Sequence, residues 1–352
     1  MIPVRSILAA TNLTSSGDPV LRSAADLARA FDASLHALYV APVGSETDAS
    51  EHETRLAEQV RRCLRPESGD DDPVSGVETA VVYDRPYHGI LVHAAAVDAD
   101  LIVVGAHRGS VAGPRWRQTT AERIVRSSDV PCLVIKEELG LPIRHAGVAV
   151  DFGMASRGAA VLAGEWLPKL GDGAKTSALS LVHVAPPDDA DARRALDAEV
   201  ERIRGGDLGT APVERIAVNG VLRSGSAVAP AVRQWVATAD VDLLVTSTAA
   251  RRGWRRILKG STATTLSTQV SCPVLLVPPS LWRRSPIPLS TAAVAIDREG
   301  TGADAWAWID RMRDGAATPL QIRPIDPEAD LLEKARTKAA DLLIVTSRTR
   351  KC

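Results

Sequence analysis

The chain has 352 residues, 45% of them hydrophobic and 24% charged, with a mean hydropathy of −0.01, a balance that excludes disorder and collagen-like repeats. Its 42 basic and 43 acidic residues leave a net charge of −1 and an isoelectric point near 6.7, so no global field gathers nucleic acid or an anionic bilayer. No run approaches the roughly 18 to 20 uncharged apolar residues of a membrane span, and Cys63, Cys132, Cys272 and Cys352 stand far apart with no C-x-x-C pair, so the expected setting is the reducing cytoplasm, without disulfides or zinc.

Short β-branched runs without polar alternation, the mark of parallel strands buried on both faces, are expected near residues 6–10, 34–40, 77–83, 101–104 and 132–135. Helices fill the gaps. The first is expected to open with Asp18 as N-cap and Pro19 at its first position, and Ser50 with Glu53, like Thr119 with Glu122, has capping-box spacing. The same order returns with strands near 147–150, 177–184, 213–218, 243–246 and 274–277.

The return is a repeat of domain length. Asp100-Leu101-Ile102-Val103-Val104-Gly105 recurs 142 residues later as Asp242-Leu243-Leu244-Val245-Thr246-Ser247, and the same offset carries Pro131 onto Pro273. Upstream, Asn12 answers Asp151 and Tyr39 answers His183. The reading is a pair of domains, 1–138 and 143–279, each an open parallel five-stranded α/β sheet with helices on both faces. A proline-bearing linker, 280–290, leads to 291–352, a third, shortened copy. There Ala292-Ala293-Val294-Ala295-Ile296-Asp297 looks like a first strand and Asp341-Leu342-Leu343-Ile344-Val345 like a fourth. One strand is expected near 320–325, with helices near 303–313 and after Asp326-Pro327, so about one strand-helix unit is missing.

With these strands and Asp-Leu-Ile-Val-Val-Gly in place, the chain resembles a tandem universal stress protein, an α/β fold of Rossmann-like nucleotide-binding type in which some members bind ATP. The resemblance implies an acidic residue after strand one and a G-x2-G-x9-G-[ST] signature after strand four. Glycines let a backbone approach phosphates, and the last pair aims amides and a hydroxyl at them from a helix N-terminus. In the first copy Gly105 holds the first glycine position, Arg108 and Gln118 the next two, Thr119 the hydroxyl slot, and Asn12 replaces the acid. The second copy has Asp151 in the acid position and Gly260-Ser261 as the terminal pair, with Ser247 and Ala250 in the earlier glycine positions. The third copy has Asp297 but no phosphate cradle.

The candidate site is therefore Asp151, Ser247, Ala250, Lys259, Gly260, Ser261 and Thr262, with Arg251, Arg252, Arg255 and Arg256 crowding its loop. ATP or a related nucleotide is its candidate cofactor. The other reading of the same residues is a solvated basic loop in which Ser261 caps a helix. His183 and Tyr39 are expected to pack beside the pocket.

Other signals carry less chemistry. Gly171-Asp172-Gly173-Ala174-Lys175-Thr176 imitates a P-loop but precedes a strand, and reads as a turn. His88 and His93 are five apart and His52-Glu53 lacks a second histidine, so neither spacing suits a metal. Asp70-Asp71-Asp72 reads as a loop and Asp188-Asp189 as a helix cap. Trp306 and Trp308 face different ways on an expected helix, and Cys352 has no partner for a lowered pKa. No nucleophile elbow or H-E-x-x-H is present, so no enzyme is expected. The function implied is a non-enzymatic stress-response protein acting through contacts with other proteins of unknown identity, with a homodimer as a further arrangement and neither nucleic acid nor membrane as partner. The alternative is an ATP-binding switch or slow ATPase built on the second copy. The resemblance also implies that strands 130–135 and 273–277 pair within one chain, making a pseudo-dimer.

Overall fold

The computed structural model describes residues 3–45, 48–64, 76–106, 120–173, 176–207, 216–248, 262–278, 291–295, 321–324 and 342–345. The chain divides into two compact units, Met1–Trp282 and Arg283–Cys352. In the first unit the elements of the first repeat are β1 (Ser6–Thr11), α1 (Asp18–Phe31), β2 (Ser34–Ala41), α2 (Ala49–Cys63), β3 (Val77–Tyr83), α3 (Pro86–Ala96), β4 (Leu101–Gly105), α4 (Thr120–Ser127) and β5 (Cys132–Ile135). The second repeat supplies β6 (His145–Ala149), α5 (Met154–Leu170), β7 (Ser177–Ala185), α6 (Ala190–Arg202), β8 (Ile216–Ser224), α7 (Val228–Thr238), β9 (Leu243–Ser247), α8 (Thr262–Gln269) and β10 (Val274–Val277).

Two five-stranded sheets are joined into one of ten strands, in the order β3-β2-β1-β4-β5-β10-β9-β6-β7-β8. Every pairing in it is parallel except β5 with β10, which run antiparallel with Leu133 opposite Leu275, Val134 opposite Val274 and Cys132 opposite Leu276. Leu133 and Leu275 are each other's counterparts in the repeat, so a pseudo-twofold axis passes between them. This is the intrachain pairing expected of the two terminal strands.

Two apolar layers sandwich the sheet. One gathers α1, α2, α5 and α6 around Ile7, Ala9, Leu133, Val148 and Leu275. The other gathers α3, α4, α7 and α8 around Leu8, Val104, Val134, Leu244 and Leu276. Because neighbouring strand residues face opposite layers, the central strands must be apolar throughout, and that is why their sequence shows no alternation. Only the edge strands β3 and β8 are largely half-exposed.

The repeat extends to unusual backbone. Leu13 and Phe152, which follow the equivalent residues Asn12 and Asp151, have φ of 57° and 59°, and Asp98 and Asp240 both have φ of 46°. Asp100 and Asp242 close the same loop: Asp100 Oδ2 accepts from the Arg5 and Ser6 amides, and Asp242 Oδ2 from those of Arg144 and His145.

The ends of β1, β2, β4, β6, β7 and β9 differ from the sequence reading by one or two residues, and three further boundaries differ for a local reason. Gly17 caps α1, and Asp18 is already in its first turn, because a 3-10 turn over Ser15–Gly17 runs straight into the helix. Asp48 caps α2, its carboxylate accepting from the Ser50 amide, so Ser50 is the second residue of the helix and not its cap. β8 runs six residues past Val218, since β7 offers a partner for each residue from Ile216 to Ser224. Asp189 caps α6 as expected, bonding the Ala192 amide. Gly171 closes α5 and Gly173 has φ of 67°, in keeping with a turn before β7.

In the second unit, β11 (Thr291–Ala295), β12 (Gln321–Pro324) and β13 (Leu342–Val345) form a parallel sheet in the order β12-β11-β13. The central strand is the first in sequence, as β1 stands between β2 and β4. The linker 280–290, Asp297, both helices expected there, Trp306, Trp308 and Cys352 lie outside the described residues.

Candidate functional site

In both repeats the first strand sits where the strand order reverses: β1 lies between β2 and β4, and β6 between β7 and β9. Open α/β sheets bind ligands in the crevice at such a point, beyond the carboxyl ends of the strands. Each of the two full repeats has such a crevice, and the two are furnished differently.

In the second repeat Asp151 follows β6 and is exposed. Its Oδ1 accepts from the Gly153 amide at 3.0 Å and from Ser156 Oγ at 2.8 Å, while the Asp151 amide donates to Ser156 Oγ at 3.2 Å. This closed turn fixes the carboxylate at the mouth of the crevice. His183 Nδ1 donates to the Val150 carbonyl at 2.8 Å, and its ring lies against Phe152 with centroids 4.3 Å apart. Ser247 ends β9 opposite Val277, half-buried, and Thr262 opens α8, exposed. Thus three of the seven expected residues are described: Asp151 after β6, Ser247 at the end of β9 and Thr262 at the start of α8. Ala250, Lys259, Gly260 and Ser261, with Arg251, Arg252, Arg255 and Arg256, lie outside the described residues.

The first repeat has Asn12 in place of Asp151, tied back locally: Oδ1 accepts from the Thr14 amide and hydroxyl, and Nδ2 donates to Ser16 Oγ. Here the crevice holds a cavity of about 130 Å³ walled by Thr11, Asn12, Gly17, Tyr39, Gly105 and Thr120 among others, and among the described residues no charged side chain lines it. Tyr39 therefore does border a pocket, as expected. Gly17 is required by a close approach, since a Cβ there would stand 2.2 Å from Thr11 Oγ1. In the second repeat the corresponding residue is Ser156, whose hydroxyl occupies that space and holds Asp151.

The universal stress protein family is matched twice along the chain, over residues 3–136 and 142–278. The chain belongs to the universal stress protein family. Among solved structures it is similar to a universal stress protein from Archaeoglobus fulgidus DSM 4304, at 18% identity over 78% of this chain and 98% of that one, with a TM-score of 0.56. It is equally similar to a protein of unknown function from Pseudomonas aeruginosa PAO1, at 18% identity over 79% of this chain and 94% of that one, with a TM-score of 0.57. At such identities the likeness speaks for the fold. No curated protein matches the chain.

Beneath each crevice this universal stress protein carries a polar link that sequence reading missed. In the first repeat Thr11 Oγ1 donates to Gln59 Oε1 at 2.9 Å, and Gln59 Nε2 donates to the Thr14 carbonyl at 2.9 Å and to Asp18 Oδ1 at 2.7 Å. Burial pushes the Asp18 carboxyl up, but bonds from Gln59 and Arg62 bring it below its ordinary value. In the second repeat the same two helices are joined by an ion pair: Arg157 Nε lies 3.1 Å from both oxygens of the buried Glu199, and Arg202 approaches at 3.8 Å. The signal was faint, because Gln59 and Glu199 read as polar positions on otherwise amphipathic helices, and their partners are about 40 residues away.

Among the described residues no group of three or more His, Cys, Asp or Glu side chains is arranged to hold a metal ion, and no helix is long and apolar enough to cross a membrane. The described cysteines are kept as thiols by burial: Cys63 is pushed up to about 11 with Asp18 adding to the effect, Cys132 to about 12 and Cys272 to about 11.

Proposed function

We propose that the chain is a non-enzymatic stress-response protein that works through contacts with other proteins, and that the crevice of its second repeat takes a nucleotide, ATP or a relative. The observation that carries the nucleotide reading is Asp151, an exposed carboxylate clamped by Gly153 and Ser156 beside the reversal of strand order at β6. Fixed there, it is ready to accept hydrogen bonds from a base or ribose without an ordering cost at the moment of binding. In sequence, Lys259-Gly260-Ser261 immediately precedes α8 at Thr262, a cation and a Gly-Ser pair of the kind that suits phosphate at a helix N-terminus.

A ligand that binds only the folded state raises its stability. Thermal unfolding of the full chain with millimolar Mg-ATP, ADP and AMP is expected to shift upward by about 2 to 4 °C, and Gly260→Asp is expected to abolish the shift. Absence of any shift for the parent chain would overturn the nucleotide reading and leave the protein-contact role. Phosphate release from the ATP mixture distinguishes a binding switch from a slow ATPase.

A further inference from the structure

The cavity in the first-repeat crevice is built from apolar side chains of both layers. Val20 of α1 belongs to one layer, and Val40, Ile90 and Val104 belong to the other; all four are buried and all four wall the cavity. Beyond the end of β1, where the strand order reverses, the two layers do not close on one another, and a space of about 130 Å³ is left between them. An apolar cavity of that order holds a single ring, and it falls well short of the roughly 300 Å³ at which pockets for drug-sized ligands begin.

The polar groups around this space are neutral, and two of them are already engaged. Thr11 Oγ1 donates to Gln59, and Asn12 is bonded to Thr14 and Ser16. Tyr39 differs from both. Its ring lies against that of the buried His52, with centroids 5.2 Å apart, and His52 Nδ1 is 3.0 Å from the Tyr83 hydroxyl, so the Tyr39 wall is held from behind. Among the described residues the Tyr39 hydroxyl makes no hydrogen bond, which leaves it able to donate to a ligand or accept from one.

Charge is what separates this crevice from the other. The second repeat presents the Asp151 carboxylate where the first has the Asn12 amide, and no charged side chain lines the first-repeat cavity among the described residues. In sequence, Arg108 and Gln118 stand where a phosphate cradle needs glycine. An ion placed between Val20, Val40, Ile90 and Val104 loses its water and gains no counter-charge from them, which costs more than the apolar contact returns.

We propose that the first-repeat cavity binds a small uncharged ring compound bearing a hydroxyl or amide group, the ring among the four apolar side chains and the polar group on the Tyr39 hydroxyl. The two crevices of one chain then take ligands of different charge. The inference concerns the first repeat alone, and it stands whether or not the second repeat binds a nucleotide.

Benzamide and benzoate, alike in size and differing in charge, are the probes. Saturation-transfer NMR titrations of the full chain at neutral pH are expected to give benzamide a dissociation constant of about 1 mM and benzoate one at least about tenfold weaker. Ala10→Leu enlarges a wall of the cavity and is expected to abolish benzamide binding. Tyr39→Phe leaves the wall in place, removes the hydroxyl and is expected to weaken benzamide about threefold or more, which keeps the test open should Ala10→Leu misfold. Excess Mg-ATP is expected to leave bound benzamide undisturbed. No binding of benzamide, equal binding of benzoate, displacement by Mg-ATP, or binding indifferent to Tyr39→Phe would each overturn the proposal, and none of these results bears on the thermal shift that tests the second repeat.

Discussion

The two full repeats share a backbone down to the left-handed residues after their first strands, yet place polar groups differently around their crevices. Under the crevice the first repeat uses a neutral amide, Gln59, and the second a buried ion pair, Glu199 with Arg157. At the mouth, the first has Asn12 folded back on its own turn beside a cavity, and the second has Asp151 clamped and exposed. The lesson is that the apolar alternation between two layers sets the fold, and polar positions are free to diverge as long as each finds a local partner.

The comparison breaks most visibly at the pseudo-twofold axis. Leu133→Asp and Leu275→Asp each bury an unpaired carboxylate and are expected to cost more than about 4 kcal/mol, nearly equally, as read from urea midpoints of the full chain. A large inequality would mean that the two halves are not equivalent at their join. Next come the buried links. Glu199→Ala strands Arg157 and is expected to cost about 3 to 5 kcal/mol, against about 1 to 3 kcal/mol for Gln59→Ala, and equal costs in denaturant unfolding would erase the contrast between ion pair and amide.

A smaller effect separates Gly17 from Ser156. Gly17→Ala drives a methyl into Thr11 Oγ1 and is expected to cost about 1 to 3 kcal/mol, whereas Ser156→Gly loses a cap on Asp151 worth about 1 kcal/mol. Calorimetry resolves the two. Least affected is thiol reactivity: with Cys352→Ser in the background, Cys63, Cys132 and Cys272 are expected to resist a disulfide reagent at neutral pH in the folded chain, in both repeats alike.

Much of this was legible in the sequence. β3, β5 and β10 fall on the expected residues, and the pairing of strands 130–135 and 273–277 follows from the resemblance. The cap of α1 was misplaced by one residue, because Asp18-Pro19 reads as a cap and first helical position until the 3-10 turn before it is seen. Of the candidate site, Asp151, Ser247 and Thr262 fall within the described residues, after β6, at the end of β9 and at the start of α8. Yet the Ser156 clamp and the Phe152 stack on His183 depend on a left-handed turn that no local signal announces.

The sequence by itself determined the alternation of strand and helix, the length of the repeat and the family, because burial on both faces writes an uninterrupted apolar run and each run recurs at a nearly fixed distance. Only the tertiary structure decided that Gln59 meets Asp18, that Glu199 meets Arg157 and that Glu78 meets His36. Those meetings join residues about 40 positions apart, and hydrogen bonds are short and directional, so they exist only after packing has brought the elements within about 3 Å of one another.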